Sequence, residues 1–228
     1  MSNYINVIAI VEGKTEQIFI EKILAPYLGH KNIGIRATQV SKPGQKGGDV
    51  RFSRVQRDLE KHLKQRSDTY ITTFVDYYGM KEWPGMDLVP WQASPETIAK
   101  TINEATKSCV VSLFAEHRAE RRFIPFIAVH EFEALLFSDC RILAEQLRID
   151  ESVILLDISG LGSPEAINNN PQTAPSKRLD SWCKNEKFLK ITTGISVAEQ
   201  IGIEKMRSKC QLFDRWLKTF EEIQSDAR

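Results

Sequence analysis

The sequence lacks an excess of either charge sign, any close pair of cysteines and any long apolar run. Lysine and arginine number 31 against 30 aspartates and glutamates, so a nucleic-acid partner would have to meet a local basic patch. The four cysteines contain no CxxC pair, which argues against a zinc or thioredoxin-like site and predicts reduced thiols. No stretch approaches the roughly 18 to 20 apolar residues of a membrane helix, so we expect a cytoplasmic protein.

The order of apolar patterns predicts an α/β fold. Strand patterns cover residues 5–11, 33–40, 70–75 and 123–129, and helical patterns cover 15–28, 51–65, 95–120, 130–137 and a last helix from 196 or 204 to 223. This alternation predicts an open, mostly parallel sheet flanked by helices. We expect an α/β core over 1–138 and a mainly helical C-terminal extension over 139–228, packed on the core or part of one domain with it.

Acidic residues follow three of the predicted strands. Glu12 comes directly after the first strand, Asp76 ends the third, and Glu131 and Glu133 follow the strand that ends at Val129. Ligands of open α/β sheets bind outside the carboxyl ends of the strands, where these side chains can meet. Clustered carboxylates need a compensating cation, and their oxygens suit Mg²⁺ or Mn²⁺. We therefore predict a catalytic metal site formed by all four.

Each of these acids also has a simpler interpretation. A single acid after a strand is often a helix cap or a solvated loop charge. Glu131 and Glu133 are two positions apart and do not share a helix face, so both need not bind the same ion. One of them could instead cap a helix or orient the other.

Basic residues near the loops are candidates for contacts with a nucleic-acid backbone. Lys14 lies at a predicted helix start, where backbone N–H groups favour anions. The other candidates are Lys46, Arg51, Lys177 and Arg178. Solvated loop charge explains these residues about as well. The fragment EGKT is not the end of an ATP-binding loop, because Ile8 stands where that motif requires glycine.

Histidine and aromatic residues near the acids have two interpretations each. His130 could move a proton or bind metal, but a structural role is favoured for a lone histidine beside an apolar strand. Tyr77 and Tyr78 could stack on a base, although packing is favoured. Trp83 and Trp91 could contact a partner or lie buried beneath their loop.

Two segments resemble the TOPRIM fold of topoisomerases, primases and overcoming-lysogenization-defect nucleases. VIAIVEGKTEQIFIEKIL is similar to the first TOPRIM motif, in which a glutamate stands between the first strand and helix, and Glu12 occupies that place. TTFVDYYGM is similar to the metal-binding strand end of that superfamily. The usual DxD is here Asp76-Tyr77-Tyr78, so the second aspartate is absent and Glu131 or Glu133 could replace it.

The ordered set VEGKTEQ, VDYYGM, HEFEALLF and PEAINNNPQTAPSKRL resembles a bacterial TOPRIM-like family catalogued as a domain of unknown function, family 4276. The resemblance spans nearly the whole chain. It implies a Mg²⁺-dependent (or Mn²⁺-dependent) nuclease that acts on DNA in preference to RNA, in an anti-phage defence system with a partner ATPase. Self-association is left open.

Two other functions remain compatible with the sequence. The missing second aspartate favours a catalytically inactive module that binds nucleic acid or regulates a partner ATPase. The same acids would also serve a metal-dependent phosphotransfer enzyme that acts on a small phosphate ester.

Overall fold

The computed structural model describes residues 4–41, 50–167, 170, 172–183 and 187–226. The strands in these ranges are β1 Ile5–Val11, β2 Ile33–Gln39, β3 Val50–Arg51, β4 Thr69–Asp76, β5 Met80–Lys81, β6 Phe123–Ile124 and β7 Ile127–Ala128. The α-helices are α1 Lys14–Phe19, α2 Ala25–Gly29, α3 Phe52–Gln65, α4 Pro95–Leu113, α5 Ala119–Arg122, α6 Cys140–Leu147, α7 Glu151–Asp157, α8 Pro175–Trp182, α9 Ile195–Ile201, α10 Ile203–Lys209 and α11 Gln211–Asp226. Wider π-helical turns lie at Ile20–Leu24 and Lys190–Gly194, and 3-10 turns lie at Tyr77–Gly79, Met86–Leu88, Ala115–His117, Phe132–Ser138 and Pro164–Ala166.

The main sheet has the order β2-β1-β4, and the short strands β6 and β7 both pair with the outer side of β4. Every strand pair in it is parallel. The carboxyl ends therefore meet at one edge, where Asp76 lies opposite Ala128. The small strands β3 and β5 form a separate parallel pair. This arrangement confirms the predicted α/β fold with a mostly parallel sheet.

The first strand and its following helix match the sequence pattern closely. Six of the seven positions of β1 are buried, as expected for an apolar strand covered on both faces. The helical segment predicted over 15–28 runs from Lys14 to Gly29, because the π-helical turn Ile20–Leu24 joins α1 to α2. Its buried apolar side chains, Phe19, Ile20, Leu24 and Leu28, are part of the hydrophobic core.

The strand predicted over 123–129 is broken in two at Pro125. Proline has no N–H group to donate to the ladder, so pairing with β4 stops there. The Thr73 hydroxyl bridges the gap: it accepts a hydrogen bond from the Phe126 N–H at 3.1 Å and donates one to the Phe126 carbonyl at 3.0 Å. A side chain thus replaces the missing part of the ladder.

Three predicted helices differ in detail. The one expected over 95–120 ends at Leu113 and is followed by a 3-10 turn and α5. The segment 130–137 is a buried 3-10 helix, Phe132–Ser138, and its seven residues are all buried. The last predicted helix is three helices, α9, α10 and α11, separated by Gly202 and Cys210.

The C-terminal helix α11 packs on the sheet through Trp216. Its indole N–H donates to the Thr72 hydroxyl at 2.9 Å, and its ring stacks on Phe126 with ring centroids 4.6 Å apart. Truncating a buried aromatic of this kind costs about 3 to 5 kcal/mol. The chain after residue 138 therefore contributes to the same core as the sheet, while the predicted boundary at 138 stays a prediction.

None of the helices in the described ranges is both long and apolar enough to span a membrane. None of the four cysteines forms a disulfide bond within these ranges.

Candidate functional site

Asp76 is the centre of the acidic edge. It ends β4, and its Oδ1 accepts a hydrogen bond from the Phe132 N–H at 2.9 Å. That bond ties the β4 end to the segment carrying Glu131 and Glu133. The loop after Asp76 returns past Glu12, since a Cβ placed on Gly79 would lie 3.5 Å from both carboxylate oxygens of Glu12. A Cβ at that distance would be in ordinary van der Waals contact, so the turn lies directly beside the Glu12 carboxylate.

The electrostatics of Asp76 show that the predicted acids do converge. Burial raises the pKa of Asp76 well above its usual range, and the negative charges of four glutamates raise it further. In order of decreasing effect these are Glu16, Glu133, Glu12 and Glu131. Five carboxyl groups from three distant parts of the chain thus interact at the carboxyl edge of the sheet, as predicted for four of them.

Glu16 is the member that the sequence analysis missed. Its side chain is 7% exposed, and its Oε2 accepts a hydrogen bond from the Gly13 N–H at 2.9 Å, which closes the first turn of α1. Burial and the charge of Glu12 raise the pKa of Glu16. The sequence signal that could have identified Glu16 is a glutamate three residues after a helix cap. The signal is weak here, because Gly13 stands where a capping box has serine or threonine.

Glu133 is paired with a lysine from a distant segment. The Lys190 ammonium lies 2.7 Å from Oε1 of Glu133, whose side chain is 2% exposed against 45% for Lys190. Oε2 of Glu133 is buried and has no hydrogen-bond partner among the described residues. Burial raises the pKa of Glu133, and Lys190 offsets part of that rise. Burial alone would lower the pKa of Lys190, but Glu133, Glu131 and Asp76 raise it.

Glu131 has a different environment. Its Oε2 accepts a hydrogen bond from the Ser176 N–H at 2.8 Å, and its Oε1 accepts one from the Ser176 hydroxyl at 2.8 Å. Ser176 lies in the first turn of α8, so the carboxylate caps that helix. These contacts favour a positioning role for Glu131 and leave Glu133 as the better candidate ligand of the pair.

His130 is part of the wall of the site. It is 6% exposed, has a φ of 74° in the left-handed region, and its carbonyl accepts a hydrogen bond from the Tyr78 N–H at 3.0 Å. Its buried Nδ1 has no hydrogen-bond partner in the described ranges. Burial lowers the pKa of His130 to about 4, so the imidazole is neutral at pH 7.

The carboxyl groups have the chemistry of a site for a hard cation, but their present positions do not form a complete one. Among the described residues, no group of three or more His, Cys, Asp or Glu side chains is arranged to hold a metal ion. The oxygen donors and the orphan Oε2 of Glu133 nevertheless fit Mg²⁺ or Mn²⁺. In this arrangement the Lys190 ammonium supplies the positive charge beside Glu133.

The predicted basic residues lie in different settings. Lys14 is exposed at the start of α1, with its ammonium 3.3 Å from Oε1 of Gln17. Lys177 is exposed on α8. Arg51 is paired with Glu82 at 2.7 Å. The predicted contact residue Lys46 lies outside the described ranges.

The prediction that Arg178 contacts a nucleic-acid backbone is wrong for this structure. Its side chain is buried and donates hydrogen bonds to the carbonyls of Thr173 and Asp157, at 2.8 and 3.0 Å. It also forms an ion pair with the Asp157 carboxylate at 2.5 Å. Arg178 therefore holds α8 to the end of α7.

The two loop tryptophans have opposite environments. Trp83 is buried, with its indole N–H donating to the Thr106 hydroxyl at 2.8 Å, whereas Trp91 is 90% exposed. Sequence alone could not separate them. Only Trp91 remains available to a partner.

Comparison with known proteins gives a family but no activity. A family model described as "Domain of unknown function (DUF4276)" matches residues 11–221. No curated protein and no solved structure matches the chain. The likeness to TOPRIM proteins has no support from these comparisons and stays a prediction. Because the match covers most of the chain, the protein belongs to the family described as domain of unknown function DUF4276.

Proposed function

We propose that this protein is a divalent-metal-dependent nuclease that cleaves phosphodiester bonds of nucleic acid. The observation that carries the proposal is the Asp76 carboxyl group, which is enclosed at the sheet edge with four glutamates whose charges raise its pKa. Such crowding is unfavourable without a cation, and strongly perturbed carboxyl groups cluster at functional sites.

The residues would have distinct roles. Asp76, Glu133 and Glu12 would hold Mg²⁺ or Mn²⁺, with Asp76 oriented by its hydrogen bond from the Phe132 N–H. Glu131 would position this segment through Ser176. When bound, the ion would polarise a phosphoryl oxygen and make water a better nucleophile.

The ion pair between Lys190 and Glu133 has to open for a metal to reach Glu133. The Lys190 side chain is 45% exposed, so its ammonium can swing toward solvent without unfolding the segment. Once displaced, its charge would remain near the site and attract a phosphate group of the substrate. Lys190 would thus neutralise Glu133 when no metal is bound, and it would contact the substrate when metal is bound.

Cleavage of plasmid, linear and single-stranded DNA and of RNA, with Mg²⁺ or Mn²⁺, tests the proposal. Asp76→Asn should lower the cleavage rate by at least about 100-fold, because it removes a ligand charge. Asp58→Asn is the matched control, since Asp58 is also buried and accepts a hydrogen bond from a backbone N–H, that of Ser41 at 2.8 Å. Equal rates in the wild type and Asp76→Asn would refute the assignment.

The ion pair also favours a second candidate, a module that has lost catalysis. If Lys190 neutralises Glu133 permanently, the edge would bind nucleic acid or a partner ATPase without metal. Isothermal titration with Mn²⁺ separates the two functions. Heat of binding that disappears in Asp76→Asn supports the nuclease, and no binding in either protein supports the inactive module.

The proposal also includes the biological role, the partner, the substrate and the cellular location of the protein. The family resemblance implies anti-phage defence, a partner ATPase and DNA as the substrate. Within the described ranges, the lack of disulfide bonds and of a membrane-spanning helix supports a cytoplasmic location. Co-purification of an ATPase with the protein from its native cells would test the partner.

A further inference from the structure

Exposed apolar side chains stand beside the acidic site. Tyr78 is 43% exposed and lies two residues after Asp76, while Leu189 and Ile191 are 57% and 49% exposed and flank Lys190. Scattered exposed apolar residues are common on protein surfaces. These three differ because each adjoins a segment that supplies a charged group of the site.

The position of Tyr78 is fixed by its backbone. Its N–H donates to the His130 carbonyl at 3.0 Å, and the next residue, Gly79, lies against the Glu12 carboxylate. The neighbouring Tyr77 is turned inward, with its ring edge-on to the His130 ring at a centroid distance of 6.5 Å. The turn therefore holds one tyrosine inward for packing and leaves the other exposed to solvent, two residues after Asp76.

We propose that the site takes a nucleic-acid strand with an unpaired nucleotide, whose base stacks on Tyr78. This inference rests on the proposed function and specifies its substrate class. A paired base has both faces covered by its neighbours in the duplex, whereas an unpaired base offers a free face to an aromatic ring. Stacking on an aromatic side chain contributes about 1 to 3 kcal/mol per base.

Once a divalent cation offsets the five carboxyl groups, the lysines beside the site favour a nucleotide over an uncharged apolar partner. Lys190 stands between Leu189 and Ile191, and Lys14 is exposed one residue after Gly13, whose N–H contacts Glu16. A ligand that satisfies these groups carries negative charge beside a flat apolar surface. A nucleotide has this combination, in its phosphate and its base.

The test measures binding of a short DNA strand that carries 2-aminopurine, alone or annealed to its complement, with Ca²⁺ or with EDTA. Anisotropy gives affinity, and quenching of 2-aminopurine reports stacking. The variants are Tyr78→Ala, Tyr78→Phe and Tyr78→Trp. Tyr4→Ala is the matched control, because Tyr4 is 46% exposed and precedes the opposite end of β1. Circular dichroism checks that each variant folds.

We expect Tyr78→Ala to weaken single-strand binding by about 5-fold to 150-fold and to abolish quenching. Tyr78→Phe and Tyr78→Trp should retain both, and Tyr4→Ala should behave like the wild type. Unchanged single-strand affinity in Tyr78→Ala, or an equal loss with duplex, overturns the inference. The binding assay does not depend on cleavage, so the two proposals can fail separately. A protein that binds the single strand through Tyr78 but cleaves nothing would refute only the proposed nuclease activity. A protein that cleaves nucleic acid but binds equally well without Tyr78 would refute only the stacking role.

Discussion

The Lys190 ammonium lies 2.7 Å from the Glu133 carboxylate and joins the π-helical turn Lys190–Gly194 to the acidic edge of the sheet. The two side chains differ in exposure, 45% for the lysine and 2% for the glutamate. In the closed pair, solvent therefore reaches the lysine but scarcely reaches the glutamate. Burial raises the pKa of Glu133, and Lys190 offsets part of that rise; under the proposed function a metal ion would take the place of the lysine.

Removing the Lys190 charge should destabilise the protein through Glu133. Lys190→Met keeps much of the side-chain volume but leaves the carboxylate buried without its cation, which should lower the free energy of unfolding by about 1 to 3 kcal/mol. Urea denaturation at pH 7.5 measures the loss. Adding Glu133→Gln to Lys190→Met should restore most of it, since the amide carries no charge.

Lys187→Met is the control for that prediction, because Lys187 is an exposed lysine of the same segment. Its free energy of unfolding should stay within about 0.5 kcal/mol of the wild type. A Lys190→Met protein as stable as Lys187→Met would show that the ion pair contributes nothing.

The carboxyl edge could be predicted because it depends on local patterns. The buried apolar runs of β1 and β4 each end at an acid, and parallel pairing puts their ends at the same edge. That reasoning placed Glu12, Asp76, Glu131 and Glu133 together without knowledge of any distance. The prediction required only that the strands be parallel, and the alternation of strands and helices in the sequence indicates this.

The partners of these acids could not be predicted, because they come from distant segments without a regular pattern. Lys190 follows a stretch with no clear periodicity, and nothing in the sequence relates it to Glu133. The burial of Arg178 and the capping of α8 by Glu131 depend in the same way on how the C-terminal region folds back. Charge alone does not distinguish a solvated arginine from one that binds buried carbonyls.

Asp76→Asn should stabilise the fold while it removes activity. Asparagine retains an oxygen for the Phe132 N–H but carries no charge to repel the four glutamates. Because the folded pKa of Asp76 lies above its unfolded value, the carboxyl group stabilises the fold at low pH and loses that contribution as the pH rises. The gain should therefore be about 1 kcal/mol or more at pH 8 and smaller at pH 5, by urea denaturation without metal.

The effect of metal ions on the melting temperatures of the wild type and of Asp76→Asn is a second test of the Asp76 assignment. Mg²⁺ or Mn²⁺ should raise the melting temperature of the wild type at pH 8 and leave that of Asp76→Asn nearly unchanged. A wild type that is already more stable than Asp76→Asn without metal would contradict the assigned repulsion.

Glu131 should contribute to stability chiefly through Ser176. Glu131→Ala removes both hydrogen bonds to Ser176 and should cost about 1 to 3 kcal/mol. Ser176→Ala loses only the hydroxyl bond and should cost about 1 kcal/mol. Since the two side chains share one interaction, the costs should not add in the double variant. Additive costs would mean that Glu131 acts through other groups.

Glu221 should give the C-terminal helices a stability that depends on pH. Its Oε1 accepts hydrogen bonds from the Arg207 guanidinium at 2.5 Å and from the Lys31 ammonium at 2.7 Å, so it joins α10 and α11 to the segment that follows α2. Burial alone would raise the pKa of Glu221, but the hydrogen bonds from Arg207 and Lys31 outweigh burial and lower it. The carboxylate therefore stabilises the fold above its unfolded pKa, and this contribution is lost as the pH falls through the folded pKa.

Glu221→Gln should accordingly cost about 1 to 2 kcal/mol at pH 7, and its difference from the wild type should shrink toward zero below about pH 4. Urea denaturation between pH 3.5 and 7 measures this trend, and Glu222→Gln is the control because Glu222 is exposed on the same helix. A cost that stays constant across the range would mean that Glu221 acts through packing. A cost that disappears on acidification would establish that the charge of this carboxylate holds the C-terminal helices to the rest of the chain.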